Sequence, residues 1–314
     1  MIIEPNRRRR NRVFRVLAGI VAVAFVGGLL ASGWRPPAIA VGSATASPPP
    51  SPTATAAPVA IVPTPVPTPS PTPAPSPTQM PNGCWPPPAD LAPATLFYHA
   101  PRTGPKVIAL TFDDGTNSVN VRRIIGVLSK NKVNATFFPT GQSVHLFPDL
   151  WKSIADMGYP IANHTYSHQS LKGLCFQLQL AELLHDEQVL RDLGVTMLPV
   201  MRPPYEEFDN TTRLATTAAG ESHVVLWDID TNDWRGLTTR AIIAAALRGK
   251  AGSIILMHTS PVNTAHALPA IIGRFRKRGY TFVTIGQLLG IGGPVPFPPP
   301  GPSPGPSASP LPTP

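Results

Sequence analysis

Proline decides where this chain can fold. Of its 42 prolines, 14 fall in Ser43–Asn82 and 11 in Gly293–Pro314, two segments that carry no charged residue. Such segments are poor in backbone donors and bury too little apolar surface to offset the entropy of ordering. They read as disordered or polyproline-like, a linker over 35–82 and a tail over 293–314. The folded unit is expected over 83–292, a size that suits one α/β barrel.

The formal net charge of +9 does not indicate a nucleic-acid partner. Residues 1–35 hold seven arginines and one glutamate, which leaves +3 for the rest of the chain. No basic stripe interleaved with aromatics occurs in the folded region. The basic stretch 1–15, with Arg7-Arg8-Arg9-Arg10-Asn11-Arg12, precedes an uncharged apolar run over Val16–Trp34. That run has the length of a membrane span, and its arginine flank puts the N-terminus in the cytoplasm and the rest outside. A transmembrane signal anchor over 16–34 and a signal peptide cut after Ala38-Ile39-Ala40 both stay open. The expected location is extracytoplasmic, membrane-anchored by this helix, or secreted if cleavage follows Ala40. In polyproline form the forty residues Ser43–Asn82 would reach roughly 120 Å, enough for a stalk. Cys84 and Cys175 are the only cysteines. Export permits a disulfide, sequence gives no distance, and neither cysteine has zinc-site spacing.

Strand and helix patterns alternate through the folded region. Strands are expected at Val107–Phe112, Ala135–Pro139, Tyr159–Asn163, Leu198–Arg202, Val224–Ile229, Ser253–Met257 and Thr281–Ile285. Helices are expected at Val119–Asn131, Leu146–Met157, Gln177–Leu193, Thr211–Ala219, Thr239–Arg248 and Ala265–Arg278. This predicts the α/β class, with parallel strands closing into a barrel of seven β/α units.

Polar residues gather at one end of these strands. Asp113 and Asp114 follow the first, His164 and His168 the third. Arg202 ends the fourth, Asp230 and Asp233 follow the fifth, and His258 the sixth. Parallel strands bring their C-terminal ends to one rim, so residues far apart in sequence should converge there. An aspartate with two histidines can form a facial metal triad, and His164-x-x-x-His168 is a spacing that lets two imidazoles face one ion. A second carboxylate can take a proton from water and a further histidine can return one to a leaving group. That chemistry is metal-assisted hydrolysis of an amide or ester. Each motif alone has a plainer reading as a turn, a cap or a loop entry.

The motifs Thr111-Phe112-Asp113-Asp114-Gly115, His164-Thr165-Tyr166-Ser167-His168, Arg202-Pro203-Pro204-Tyr205, Asp230-Thr231-Asn232-Asp233-Trp234 and Leu256-Met257-His258 resemble those of the polysaccharide deacetylases, carbohydrate esterase family four, over roughly Lys106–Leu289. The resemblance implies a distorted barrel of about seven units. It makes Asp113 the general base, His258 the general acid, and Asp114, His164 and His168 the ligands of one divalent cation. Zinc (Zn2+) is the first expectation, with cobalt, nickel or manganese as alternatives. Arg202 would hold Asp113, and Asp233 would hold His258. Trp234 and Leu256 would wall the acetyl pocket, and the Tyr205 backbone N–H would donate to the oxyanion. Two positions depart from the family pattern: Thr116 where proline is usual, and Glu206 where glycine is usual.

The implied activity is removal of N-acetyl groups from amino sugars of an extracellular polysaccharide, cell-wall peptidoglycan foremost, with chitin-like polymers as another substrate. The alternatives are an O-acetyl esterase on a xylan-like glycan and a non-catalytic carbohydrate-binding surface protein. An aspartate-nucleophile phosphatase fails on spacing by one residue and leaves both histidines unexplained. The implied partners are the polysaccharide and, through the N-terminal segment, a membrane; neither nucleic acid nor a protein partner is implied.

Overall fold

A computed structural model describes residues 84–297. The expected span over 16–34, the linker over 35–82 and the tail beyond Phe297 lie outside these residues. Among the described residues, no helix is long and apolar enough to cross a membrane.

In chain order the elements are β1 (Thr95–Phe97), β2 (Val107–Asp114), α1 (Ser118–Lys130), β3 (Thr136–Pro139), α2 (Gly141–Leu146), α3 (Pro148–Asp156), β4 (Ala162–Asn163), α4 (Phe176–Asp192), β5 (Leu198–Met201), α5 (Asn210–Ala218), β6 (His223–Val225), β7 (Ile229–Asp230), α6 (Thr239–Ala246), β8 (Ser253–His258), α7 (Val262–Lys277), β9 (Thr281–Val283) and α8 (Ile285–Leu289). Every pairing between them is parallel. One sheet has the order β1-β6-β5-β4, the other β3-β2-β8-β7 with β9 also on β2. A single parallel bridge, Phe137 to Ile161, links the two. The fold is α/β with parallel strands, and its hydrogen-bonded pairing defines two sheets.

Residues 108–113 of β2 are all buried, as are 253–257 of β8. Such unbroken burial marks strands covered on both faces, the condition of a parallel sheet. On α1, Val121, Ile124, Ile125 and Leu128 form the buried stripe at i, i+3, i+4 and i+7. Each such side chain contributes about 1.5–3 kcal/mol on burial, so the stripe fixes how the helix lies on the sheet. The Asn117 side chain starts the helix by accepting from the Asn120 N–H.

Four local departures from the sequence reading have physical causes. The expected helix 146–157 is two helices, α2 and α3, because Pro148 has no N–H to continue the first and serves as the first residue of the second. The expected strand 224–229 divides into β6 and β7, which lie in different sheets. Asp228, the one carboxylate in that run, accepts from Arg102, Ser253 Oγ and the Ile254 N–H, which pulls the chain across. The expected last strand stops at Val283, where Thr284 caps α8. Beyond Gly292, in the expected tail, Phe297 packs edge-on against Tyr159, and Asn134 bonds both its N–H and its C=O.

Cys84 and Cys175 form a disulfide with a Cα–Cα distance of 5.7 Å. It ties the entering segment to the N-cap of α4.

Candidate active site

The ends of β2, β4, β5, β7 and β8 bring eight of the ten expected site residues to one cavity of about 440 Å³, with Arg202 and Asp233 fully buried behind its wall. Its walls include Asp113, Asp114, His164, His168, Tyr205, Trp234, Leu256 and His258. A larger hollow of about 790 Å³ near Lys132, Arg276 and Phe297 has neither carboxylate nor imidazole in its lining.

Alternation along β2 accounts for Asp113. Thr111 and Asp113 share a face, and the Arg202 guanidinium donates to both, at 2.9 Å and 2.7 Å. Alternation would turn Asp114 away, but its backbone is left-handed, with φ of 79°. Asp113 Oδ2 and Asp114 Oδ1 consequently each lie 3.8 Å from the same His164 Nε2. Among the described residues, six of the seven non-glycine residues with positive φ are Asp114, Thr165, His168, Tyr205, Glu206 and Asn232, all within or beside the motifs; the seventh is Lys132. Each costs on the order of 1–3 kcal/mol, so backbone strain is concentrated at the site.

Arg202 is fully buried, yet its charge is well satisfied. It bonds Asp113, Thr111 and the carbonyls of Val225 and Leu226, and lies over the Phe138 ring at 4.2 Å. Burial pulls its pKa down, and Asp113 opposes this.

Strand register sets Asp113 beside His258, the last residue of β8. The buried Asp233 accepts from His258 twice, from Nδ1 at 2.8 Å and from the backbone N–H at 2.8 Å. It also accepts from Thr264 Oγ1 and the Trp234 N–H. Burial would depress the His258 pKa, but the Asp233 hydrogen bond and charge, with Asp113 and Asp114, raise it to about 9. Leu256 is 3% exposed on the cavity wall, whereas Trp234 is 55% exposed at the rim. Asp230 and Glu206 also line the cavity, while Thr116 bonds Ser260 outside it.

Asp114, His164 and His168 bring one ligand atom each within 4.8 Å of one another. Asp114 Oδ1 is 3.3 Å from His168 Nε2. Ligand atoms about 2.0–2.2 Å from one ion sit roughly 3–4 Å apart, so the donor set fits a small divalent cation. The Arg202 carbonyl accepts from His164 Nδ1 at 2.7 Å, which leaves the Nε2 lone pair facing the aspartates. Burial lowers the His164 pKa and favours the neutral imidazole a metal requires. Burial would raise Asp114, but the His168 hydrogen bond and the surrounding histidines bring it below the ordinary value.

The loop 164–168 is not helical. All five of its backbone N–H groups go elsewhere: to Asp186 Oδ2, Asn163 Oδ1, the Glu182 carbonyl, Glu182 Oε2 and Thr165 Oγ1 in turn. The imidazole pair is set by this loop, with ring centroids 5.0 Å apart. Sequence reading missed Glu182, Asp186 and the Tyr205 hydroxyl, which bonds His168 Nδ1 at 3.0 Å. One signal for Asp186 was available. The buried stripe of α4 runs Phe176, Gln179, Leu183, Asp186, Leu190, and a carboxylate stands where apolar spacing calls for a core residue.

The family model for polysaccharide deacetylase matches residues 100–224. A peptidoglycan-N-acetylglucosamine deacetylase of Bacillus cereus is 32% identical over 212 residues, covering 66% of this chain and 76% of that protein. The peptidoglycan-N-acetylmuramic acid deacetylase PdaC of Bacillus subtilis is 31% identical over 184 residues, covering 58% of this chain but only 38% of that protein. A family 4 carbohydrate esterase from Streptomyces lividans, solved in complex with acetate, has a TM-score of 0.56 and 32% identity over 62% of this chain and 98% of that one. This chain is a member of the polysaccharide deacetylase family of enzymes.

Proposed function

We propose that the protein is a metal-dependent hydrolase that removes N-acetyl groups from amino sugars of an extracellular polysaccharide, with cell-wall peptidoglycan as the leading substrate. The observation that carries this reading is the joining of two hydrogen-bonded pairs, Arg202–Asp113 and Asp233–His258, on one cavity with the Asp114–His164–His168 cluster. One arm can accept a proton, the other can donate one, and the cluster lies beside both.

When bound by Asp114, His164 and His168, a divalent cation such as zinc supplies Lewis acidity for a carbonyl and a more acidic water. Asp113, held by Arg202, takes a proton from the water as its oxygen bonds to the acetyl carbon. The Tyr205 N–H donates to the oxyanion that develops. His258, charged through Asp233, gives its proton to the amide nitrogen as the C–N bond breaks, leaving acetate and an amine. Leu256 and Trp234 bound the space for the methyl group. The same reading takes the two sheets, connected by the Phe137–Ile161 bridge and the 223–230 segment, as the family's distorted barrel.

Peptidoglycan is favoured by the relatives from Bacillus, named for N-acetylglucosamine and N-acetylmuramic acid deacetylation. The arginine-flanked apolar run over 16–34 supports an extracytoplasmic, membrane-anchored setting. The test is acetate release by the purified protein from peptidoglycan, chito-oligosaccharides and acetylxylan, with and without chelator and added zinc. Chelator-sensitive release from an aminosugar polymer is expected. Release from acetylxylan alone would make the protein an O-acetyl esterase, and none from any polymer would favour a binding role.

A further inference from the structure

The loop that carries both histidines has little structure of its own. Its backbone carbonyls at Thr165 and Tyr166 accept from the Gly141 and Gln142 N–H groups at the start of α2. Three of its five N–H groups are bound by two residues of α4. Asp186 Oδ2 takes that of His164 at 3.0 Å, the Glu182 carbonyl that of Tyr166 at 3.1 Å, and Glu182 Oε2 that of Ser167 at 2.8 Å. Glu182 Oε2 also accepts from Ser167 Oγ, and Oε1 from the Gln169 amide. His185 stacks flat on Tyr166 with ring centroids 3.5 Å apart. Glu182, His185 and Asp186 stand at i, i+3 and i+4, one face of one helix.

These contacts do more than fill space. Left-handed backbone at Thr165 and His168 is unfavourable alone and persists only where surrounding bonds over-determine it. Asp186 is fully buried and supplies the acceptor directly behind His164. Glu182 grips the residue next to His168. The two imidazoles are therefore fixed from behind by one rigid element, while their Nε2 atoms face Asp114.

We propose that α4 is the template for the ligand loop, and that Glu182 and Asp186 are positioning residues for His168 and His164. The consequence for metal affinity rests on the reading of Asp114, His164 and His168 as ligands; the consequence for loop order does not. Two measurements on the full chain separate these. Amide hydrogen exchange at residues 164–168 in chelator-treated protein reads the template itself. The zinc Kd, from competition with a chromophoric chelator, reads its use.

Glu182→Ala is expected to speed exchange at Ser167, whose N–H loses its side-chain acceptor, more than at Tyr166, whose N–H keeps the backbone carbonyl of residue 182, and to weaken zinc binding by roughly 10- to 100-fold, the range for partners that orient metal ligands. Glu182→Gln keeps an acceptor oxygen and should recover part of both effects. Asp186→Asn likewise keeps an oxygen for the His164 N–H and should bind zinc far better than Asp186→Ala. Leu184→Ala, on the same helix but facing solvent, is the control and should change neither readout. Should Asp186→Ala fail to fold, the two Glu182 variants decide the matter. Glu182→Ala with wild-type exchange and wild-type Kd would overturn the proposal. Wild-type protein that binds no zinc would instead sink the metal reading, with the exchange data still deciding whether α4 is the template.

Discussion

Replacing Asp233 by asparagine isolates the charge that prepares His258. The Asp233 side chain is fully buried and that of His258 only 16% exposed, so solvent screens their interaction little. The His258 pKa stands at about 9 against an ordinary 6.5, a rise that burial opposes and Asp233 leads. At about 1.4 kcal/mol per unit, that is on the order of 3 kcal/mol in favour of the protonated form. The carbonyl of the introduced asparagine could still accept from Nδ1 and hold the ring, but the charge would be gone and burial would remain. The donor's pKa should then fall to about 6.5 or below, which moves the alkaline limb of the pH–rate profile down by roughly two units. At pH 8 the protonated fraction would drop from about 90% to about 3%, a loss near 30-fold, whereas at pH 6 most of the activity should remain. A cation at Asp114 would lower the limb in wild type and variant alike, so the difference between the two profiles is the expected outcome rather than either absolute position. The assay is kcat/KM for acetate release from a chito-oligosaccharide between pH 5 and 10. Equal loss at pH 6 and pH 8 with an unmoved limb would refute the reasoning and leave Asp233 a purely orienting role. The same shift has a stability signature. Because the folded-state pKa is raised, the stabilisation is fully present below pH 6.5 and lost as pH rises through 9. Metal-free wild type should therefore lose a few kcal/mol relative to Asp233→Asn across that window, read by denaturant melts.

The other side chains divide by role. Asp113→Asn and His258→Ala should each cut turnover at least 100-fold while zinc stays bound, whereas His164→Ala should lose zinc; equal metal loss in all three would contradict the assignment. Asp113→Asn should also destabilise the fold by up to about 3 kcal/mol, since Arg202 is left buried without its counter-charge, a change chemical denaturation would detect. Tyr205→Phe removes the hydroxyl 3.0 Å from His168 Nδ1 and should weaken zinc binding about 10-fold, with kcat at saturating zinc largely kept; an unchanged Kd would count against that contact. Reducing Cys84–Cys175 opens a loop closed across 91 residues and should lower stability by up to about 4–5 kcal/mol, measured as a fall in Tm under reductant. Gly115→Ala should abolish activity and cost several kcal/mol, because φ is 98° and a Cβ would meet the Trp151 ring at 2.3 Å.

The site was legible because its residues stand at the ends of strands. Parallel strands convert a sequence position into a place in space, so Asp113, Arg202 and His258 could be brought to one rim from hydrophobic patterning alone. The same patterning could not see the division of 224–229. An apolar run looks alike whether it stays in one sheet or crosses to another, and only Asp228 within it carried a hint. The spacing His164-x-x-x-His168 does bring two imidazoles together, but by a route other than helical facing. A loop with two left-handed residues makes the rings meet, and that loop is specified by partners 15 and 22 residues away.

The pentapeptide 164–168 contains the two histidines of the candidate metal cluster but not the bonds that shape it. Four of its five N–H groups are taken by side-chain oxygens and one by a carbonyl of α4, so the regular ladder of a helix or strand is denied to it at every position. On the proposed role of α4, a buried carboxylate at a core position of a neighbouring helix is part of the candidate site, since Asp186 holds the His164 N–H. Asp186 breaks the apolar stripe of α4, and a break of that kind costs stability unless something needs the acceptor it supplies. Polar interruptions in otherwise regular apolar stripes, read beside short motifs rich in histidine and aspartate, are where the missing half of such a site should be sought in sequence.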